Sequence, residues 1–543
     1  MSAPVFADRV LVGGDVITCD PTRPRATAVA LAGGRITAVG DDPQVRAQVT
    51  ARTEVIDVRD ATIVPGLTDG HMHPVHGSED IDNVALGGAA DLDEARARLA
   101  AAARGLPGDA WVLGYGLDPN LFDRGAPAAA DIEDAVGGRP AVLTMFDGHA
   151  VLASHAALAR AGVTGPRRFG SGARVVCDDD GHPTGHLLEN EAADLVRALV
   201  PRPDAATRRD RLRRVLAAMA ASGLTGGHVM DADGDALDLL AALEADGDLP
   251  IRLRLAPICA PGCDTARMRD ILALRRRAGR RWSVEAVKLF ADGTVDGGTA
   301  WLHEPDRYGQ STGPYWTDPA AYSAAVRFFA DAGVPTATHA IGDAAVAHVL
   351  DTVEAYAPKG SAVRHRVEHI ETLPDDQVDR FARLGVVASM QPTHCTEYTR
   401  ADHGDNWSVR LGDERADRAW RCGDLRAHGA TVVLGSDWPI AHHDPRVIMA
   451  AARLRRTPGR PGERPNHPEQ ALTAEQALEG YTTHAARAAG AEAVAGRIAP
   501  GHRGDLTVLG GDPLRVPADE LPGVPVVACL VGGQVTHRSA ETG

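Results

Sequence analysis

Between residues 63 and 435 the chain repeats one alternation: a short apolar, β-branched run, then a stretch of helical character. That alternation is the pattern of parallel strands joined by helical crossovers. Eight strand candidates are counted: Ile63–Leu67, Leu224–Val229, Arg252–Ala256, Val284–Phe290, Pro335–His339, Arg366–His369, Val386–Met390 and Thr431–Gly435. Eight such units predict an α/β fold, a (β/α)8 TIM barrel. Intervening stretches such as Arg208–Ala221 are rich in alanine and arginine and read as amphipathic helices. The gap after the first strand is too long for one helix, so about 150 residues there predict a large inserted subdomain over the barrel mouth.

The chain ends behave differently. Short strands separated by turns occupy the first residues (Val10–Val12, Val16–Thr18, Ala28–Leu31, Arg35–Val39, Glu54–Val58) and recur at Asp505–Leu509, Val526–Val531 and Gln534–Thr536. Two β-rich ends around a long middle predict one small β-sandwich domain built from both ends. The expected division is residues 1–63 and 497–543 for that domain and 64–496 for the barrel, with the insertion at 76–205.

The net charge of −16 argues against partnership with nucleic acid or an anionic membrane surface. No apolar run has the length of a membrane span. The N-terminus lacks a signal peptide's basic start and apolar stretch. The seven cysteines form no C-x-x-C pair, and Cys259 with Cys263 alone makes a poor zinc site. Reduced thiols in a cytoplasmic protein are the simplest expectation.

Polar residues stand where the strand candidates end, which is where barrel enzymes place their chemistry. His71 and His73 close the first strand; at i and i+2 both project from one face and can share a metal ion. Lys288 lies near the end of the fourth strand, His339 ends the fifth, His369 the sixth and Asp437 the eighth. Of the 57 basic side chains only two are lysines. Lys359, in the turn Ala357–Gly360, reads as ordinary surface. Lys288, inside an apolar strand, is costly unless it is held in a salt bridge or chemically altered, and an amine can react where a guanidinium cannot.

The run Pro65-Gly66-Leu67-Thr68-Asp69-Gly70-His71-Met72-His73, with Val287–Gly293, His339–Val346, His365–His369, Gln391-Pro392 and Gly435–Pro439, resembles the amidohydrolase superfamily. Within it the chain looks like the YtcJ-like branch (amidohydrolase family 3), which includes deformylases of N-substituted formamides. Gly148-His149, Gly181–Gly185, Glu189, Ala471–Thr473 through Thr483, and Pro500–Leu506 extend the resemblance over nearly the whole chain. The resemblance implies that His71 and His73 are metal ligands and that Lys288 takes up carbon dioxide as a carbamate ligand. It implies that His339 and His369 bind a second ion. Asp437 would contact the metal and handle the proton. One or two divalent ions fit this set; nitrogen and oxygen ligands suit zinc and admit iron, manganese or nickel.

The implied function is hydrolysis of an amide-type C–N bond of a small molecule by metal-activated water. Alternatives are a deaminase or a cyclic imide, lactam or lactone hydrolase of the same superfamily, or a non-catalytic regulatory protein that binds a small ligand. Six further residues are substrate-binding candidates. His228 ends the second strand, and Gln391 and His394 follow the seventh; these face the pocket. Trp438 forms an apolar wall or packs. Asp292, like Asp343, orients ligands or caps a turn. His149 reaches down from the insertion or is structural. His365, His442 and His443 read as structural or surface. A homodimer is the expected assembly.

Overall fold

The computed structural model describes residues 6–122, 126–356 and 363–539; Lys359 lies outside them. Leu67–Met72 (β1), Leu224–Val229 (β2) and Arg252–Leu255 (β3) run parallel, with Trp282–Val284 beyond β3. A second parallel arc contains Val287–Phe290 (β4), Thr336–Ala340 (β5), Arg366–His369 (β6), Val387–Met390 (β7) and Val432–Leu434 (β8). Parallel bridges link the arcs at both seams. At one, Lys288 bonds the backbone of Pro257 and Cys259. At the other, Asp437 N–H donates to His71 O at 2.7 Å and His73 N–H to Trp438 O at 2.8 Å. The second seam aligns three of the chemistry-bearing residues in adjacent backbone.

Two strand expectations are corrected. Ile63–Pro65 is not the start of β1; Thr62–Pro65 pairs antiparallel with Leu506–Leu509 in the terminal sheet. The apolar run continues through Leu67, so its pattern alone could not show where one sheet passes the chain to the other. Gly66 marks the crossing, where a Cβ would lie 2.2 Å from Thr225 Oγ1. The fourth strand is also not continuous. It breaks at Glu285-Ala286, both of whose N–H groups turn to Leu255 O, while the Glu285 carboxylate pairs with Arg254.

Helices cover the strands for the reason the sequence pattern suggests. In Ala205–Ala221 the buried stripe is Arg208, Leu212, Val215, Leu216 and Met219, at helical spacing, and the Asp204 carboxylate caps the start by accepting from Thr207 N–H. Its apolar members pack into one core with Leu240, Leu253, Leu255, Leu289 and Phe329. Between β1 and β2 a six-stranded sheet, from Val84–Ala85 to Pro183–Leu188, packs around its own cluster of Leu99, Val112, Leu143, Leu152 and Leu188. At the chain ends, Leu11, Val29, Leu31 and Ile36 of one sheet pack against Ile63, Leu506, Val508 and Leu530 of another. All seven cysteines are free. Among the described residues no helix is long and apolar enough to cross a membrane.

Candidate metal centre and pocket

The ends of β1 and β6, the loop after β8 and the helix Pro392–Tyr398 bring imidazoles and a carboxylate together. His71 and His73 present their Nε2 atoms 3.3 Å apart, as the i, i+2 spacing requires. The Asp437 carboxylate closes the group, with Oδ1 3.0 Å from His73 Nε2 and 3.4 Å from His71 Nε2. Its Oδ2 lies 3.7 Å from His369 Nδ1 and 3.8 Å from His394 Nε2. His71–His73–Asp437 and His369–His394–Asp437 are two ligand groups of suitable spacing for a cation, and His73–His76–Asp231 is a third. Asp437 and His369 both adopt left-handed backbone, at φ 57° and 75°. Such conformations are costly outside glycine and recur where function fixes a side chain.

Protonation follows from the partners. Burial, with the nearby Lys288 charge, lowers His71 to about 4, so the ring is neutral. Its Nδ1 lies 2.7 Å from Glu368 Oε2, an acceptor, so the proton sits on Nδ1 and Nε2 keeps a lone pair. His369 Nδ1 faces Gln391 Oε1 at 3.0 Å in the same way, and burial with His339 keeps that ring neutral too. Although burial opposes it, the surrounding imidazoles hold the Asp437 carboxyl well below the usual carboxylate range. Neutral imidazoles beside an ionised carboxylate, with the buried His394 Nε2 lacking a hydrogen-bond partner among the described residues, form a donor set that fits a divalent metal.

Lys288 is buried, and its Nζ lies 4.9 Å from the centre of the Phe290 ring. Among the described residues it forms no salt bridge, so the salt-bridged alternative does not hold. Burial lowers its ammonium to about 8, Glu368 and Asp437 opposing and Arg366 assisting. His339 is placed differently from His369. Its Nε2 lies 3.0 Å from Gly293 O, and its ring stands 4.5 Å from that of His369 and 4.7 Å from that of His149.

A cavity of about 450 Å³ opens over these groups. His149, His339, His369, His394 and Asp437 line its floor; Phe146, Tyr398, Trp407 and Trp420 line its walls. His149 comes from the inserted segment, its Nδ1 2.9 Å from Glu189 Oε2. Burial works against its charge, but Glu189, Asp147 and Asp437 raise it to about 9. Three more carboxylates, Asp147, Asp296 and Glu371, also face the cavity.

With the site laid out, comparison with known proteins adds the lineage. The amidohydrolase family pattern matches residues 54–537. The chain belongs to the amidohydrolase family. This amidohydrolase is 29% identical over 539 residues to YtcJ of Bacillus subtilis (strain 168), covering 97% of this chain and 99% of that one. It is 27% identical over 555 residues to an N-substituted formamide deformylase of Arthrobacter pascens, covering 98% of each. Its fold is that of an uncharacterized metal-dependent hydrolase from Pyrococcus horikoshii OT3, at TM-score 0.72 and 24% identity over 94% of this chain and 99% of that one. It is similar in fold to the zinc-complexed atrazine chlorohydrolase TrzN of Arthrobacter aurescens TC1, at TM-score 0.53 and 17% identity over 98% and 96% of the two chains.

Other candidate residues of this amidohydrolase fall outside the cavity lining. His228 does not face the pocket: its Nδ1 takes a hydrogen bond from Arg366 at 2.7 Å, and the residue borders a different cavity. Trp438 packs on Gly77, where a Cβ would lie 2.2 Å from the indole ring. Asp292 accepts from the N–H groups of Trp301, Ile341 and Gly342, fixing the loops around His339, with Oδ1 3.6 Å from His339 Nε2. Asp343 accepts from His303 and Ala344 N–H. Gln391 reaches the site through His369.

Sequence reasoning missed Glu368, buried between His71 and Arg366, and the His76–Asp231 pair. Glu368 stands inside the Arg366–His369 motif, but only strand register shows which neighbour it meets.

Proposed function

We propose that this amidohydrolase hydrolyses an amide-type C–N bond of a small molecule, using one or two divalent ions, zinc by preference. We read the two parallel arcs, bonded at both seams, as one closed barrel carrying the site at its C-terminal end. The observation that carries the proposal is Asp437: an ionised carboxylate between two histidine groups on the floor of a small-molecule cavity. His71 and His73 would hold one ion with Asp437, and His369 would contribute to a second with His339 or His394. Lys288, with no salt-bridge partner, is suited to add carbon dioxide at Nζ, losing a proton and becoming an anionic carbamate ligand.

A divalent ion at such a site supplies Lewis acidity and makes hydroxide available at neutral pH. The protein does the rest. Asp437 Oδ2 takes a proton and returns it to the leaving nitrogen. His149, charged at neutral pH and steadied by Glu189, offers Nε2–H to a carbonyl oxygen that gains negative charge. The aromatic walls exclude water and hold the substrate's apolar part. The aligned deformylase supports an amide-type substrate.

The test is a panel of formamides, acetamides, acylated amino acids, cyclic imides, lactams, lactones and amino-heterocycles, scored by amine, ammonia or acid release from the metal-loaded protein. Amide turnover that Asp437→Asn abolishes supports the proposal. Turnover confined to cyclic substrates or amino-heterocycles moves the protein to the alternative hydrolase or deaminase. Binding without turnover favours the regulatory reading.

A further inference from the structure

A second cavity, of about 530 Å³, is bordered by residues of β1–β3 and shares none of its lining residues with the first. Arg252, Arg254, Arg503 and His228 border it, against an apolar wall that includes Ala485, Ala486 and Ala489. The arginines differ in how they are satisfied. Arg252 pairs with Asp505 at 3.2 Å, and Arg254 pairs with Glu285 and donates to Ala489 O. Asp505 is shared, since its Oδ1 also accepts from Gly532 N–H. The half-buried Arg503 guanidinium has no hydrogen-bond or ion-pair partner among the described residues. Burial, Arg252 and Arg254 all weaken its hold on its proton.

His228 makes the same point independently. It is 4% exposed, and its Nδ1 accepts from Arg366, which can only donate. The proton of this neutral ring therefore sits on Nε2, and that buried atom has no partner. An unpartnered cation thus faces the cavity, and an unpartnered donor with no accessible surface of its own lies beside it.

We propose that this cavity binds a phosphate group, free or carried on a small molecule, through the guanidinium of Arg503. Arg252 and Arg254 supply further positive charge at the rim, and the alanine wall leaves room for an organic substituent. Charge-assisted bonds from arginine to phosphate have the required strength and geometry. The site is separate from the proposed hydrolysis and does not depend on it.

The experiment is thermal unfolding of the full-length, metal-loaded protein in inorganic phosphate, and in glycerol phosphate, against chloride at matched ionic strength. A saturable rise in Tm is expected in the wild type. Arg503→Met should raise the half-effect concentration by at least about tenfold, the loss expected of one charged hydrogen bond. Without phosphate that variant should be no less stable than wild type, because it removes an uncompensated charge. Arg503→Lys, which keeps the charge but not the fork, should show an intermediate response and serves if the methionine variant does not fold. A response to both probes supports a site that free phosphate fills; a response to glycerol phosphate alone supports one for a carried group. Equal Tm in both probes and chloride, or an unchanged response in both Arg503 variants, overturns the proposal.

Discussion

His71 Nδ1 lies 2.7 Å from Glu368 Oε2, and both side chains are fully buried. Glu368 is held in turn by Arg366, whose Nη2 donates to Oε2 at 2.9 Å and to Ser389 Oγ at 2.8 Å. The carboxylate thus fixes the imidazole's tautomer and direction, and the guanidinium fixes the carboxylate. Burial opposes a charge on Glu368, but Arg366 and His71 hold its carboxyl well below the usual range.

Glu368→Gln should therefore weaken two things together. Arg366 loses its counter-charge in a buried place, which costs about 3–5 kcal/mol when one partner of such a pair is removed. His71 exchanges a charged acceptor for a neutral amide oxygen that Arg366 no longer fixes in place, and metal affinity should fall, by up to about 10–100-fold. Urea unfolding and metal titration of the same preparation read the two effects.

Asp437→Asn should keep the fold while lowering turnover by about 10²–10⁴-fold, the usual contribution of a positioned acid–base group. Steady-state kinetics on any substrate found in the panel measures this. Wild-type kcat in the variant would remove Asp437 from proton transfer.

Much of this site was legible because buried parallel strands read as apolar runs, so a histidine, lysine or aspartate at the end of a run stands out. What was not legible depends on register and on the third dimension. Glu368 precedes His369 in the chain, yet it faces His71 from another strand. His228 ends its strand as the other candidates do, but Arg366 captures its ring, so it serves a different cavity. Gln391 was placed near the substrate and instead meets His369. His76 and Asp231 lie 155 residues apart, and only the folded chain joins His76 N–H to the Asp231 carboxylate, at 2.7 Å.

Gly77→Ala tests the packing behind Asp437. A Cβ at Gly77 would meet the Trp438 ring, and the indole cannot yield without moving its neighbour. Overpacking of this kind costs about 1–3 kcal/mol. The variant should lose stability, and its metal affinity should fall with the displaced Asp437. Unfolding curves alongside metal titration separate it from a silent surface change.

Asp296 supplies a pH test. Burial, opposed by the Asn406 hydrogen bond, raises its carboxyl to about 8. Between the ordinary carboxylate value and that point the folded protein binds more protons than the unfolded chain, so this group's contribution to stability falls as pH rises. Asp296→Asn should raise Tm relative to wild type at about pH 8.5 and do so much less at about pH 5, where only the first part of that loss has been incurred. Equal differences at both pH values would contradict the assignment.

The metal content of the purified protein, measured by elemental mass spectrometry for wild type and His71→Ala/His73→Ala, tests the account most directly. One or two equivalents of a divalent metal are expected in the wild type, with the double variant losing at least one while remaining folded. A folded wild type that holds no divalent metal after reconstitution, or a double variant that holds as much as wild type, would contradict it.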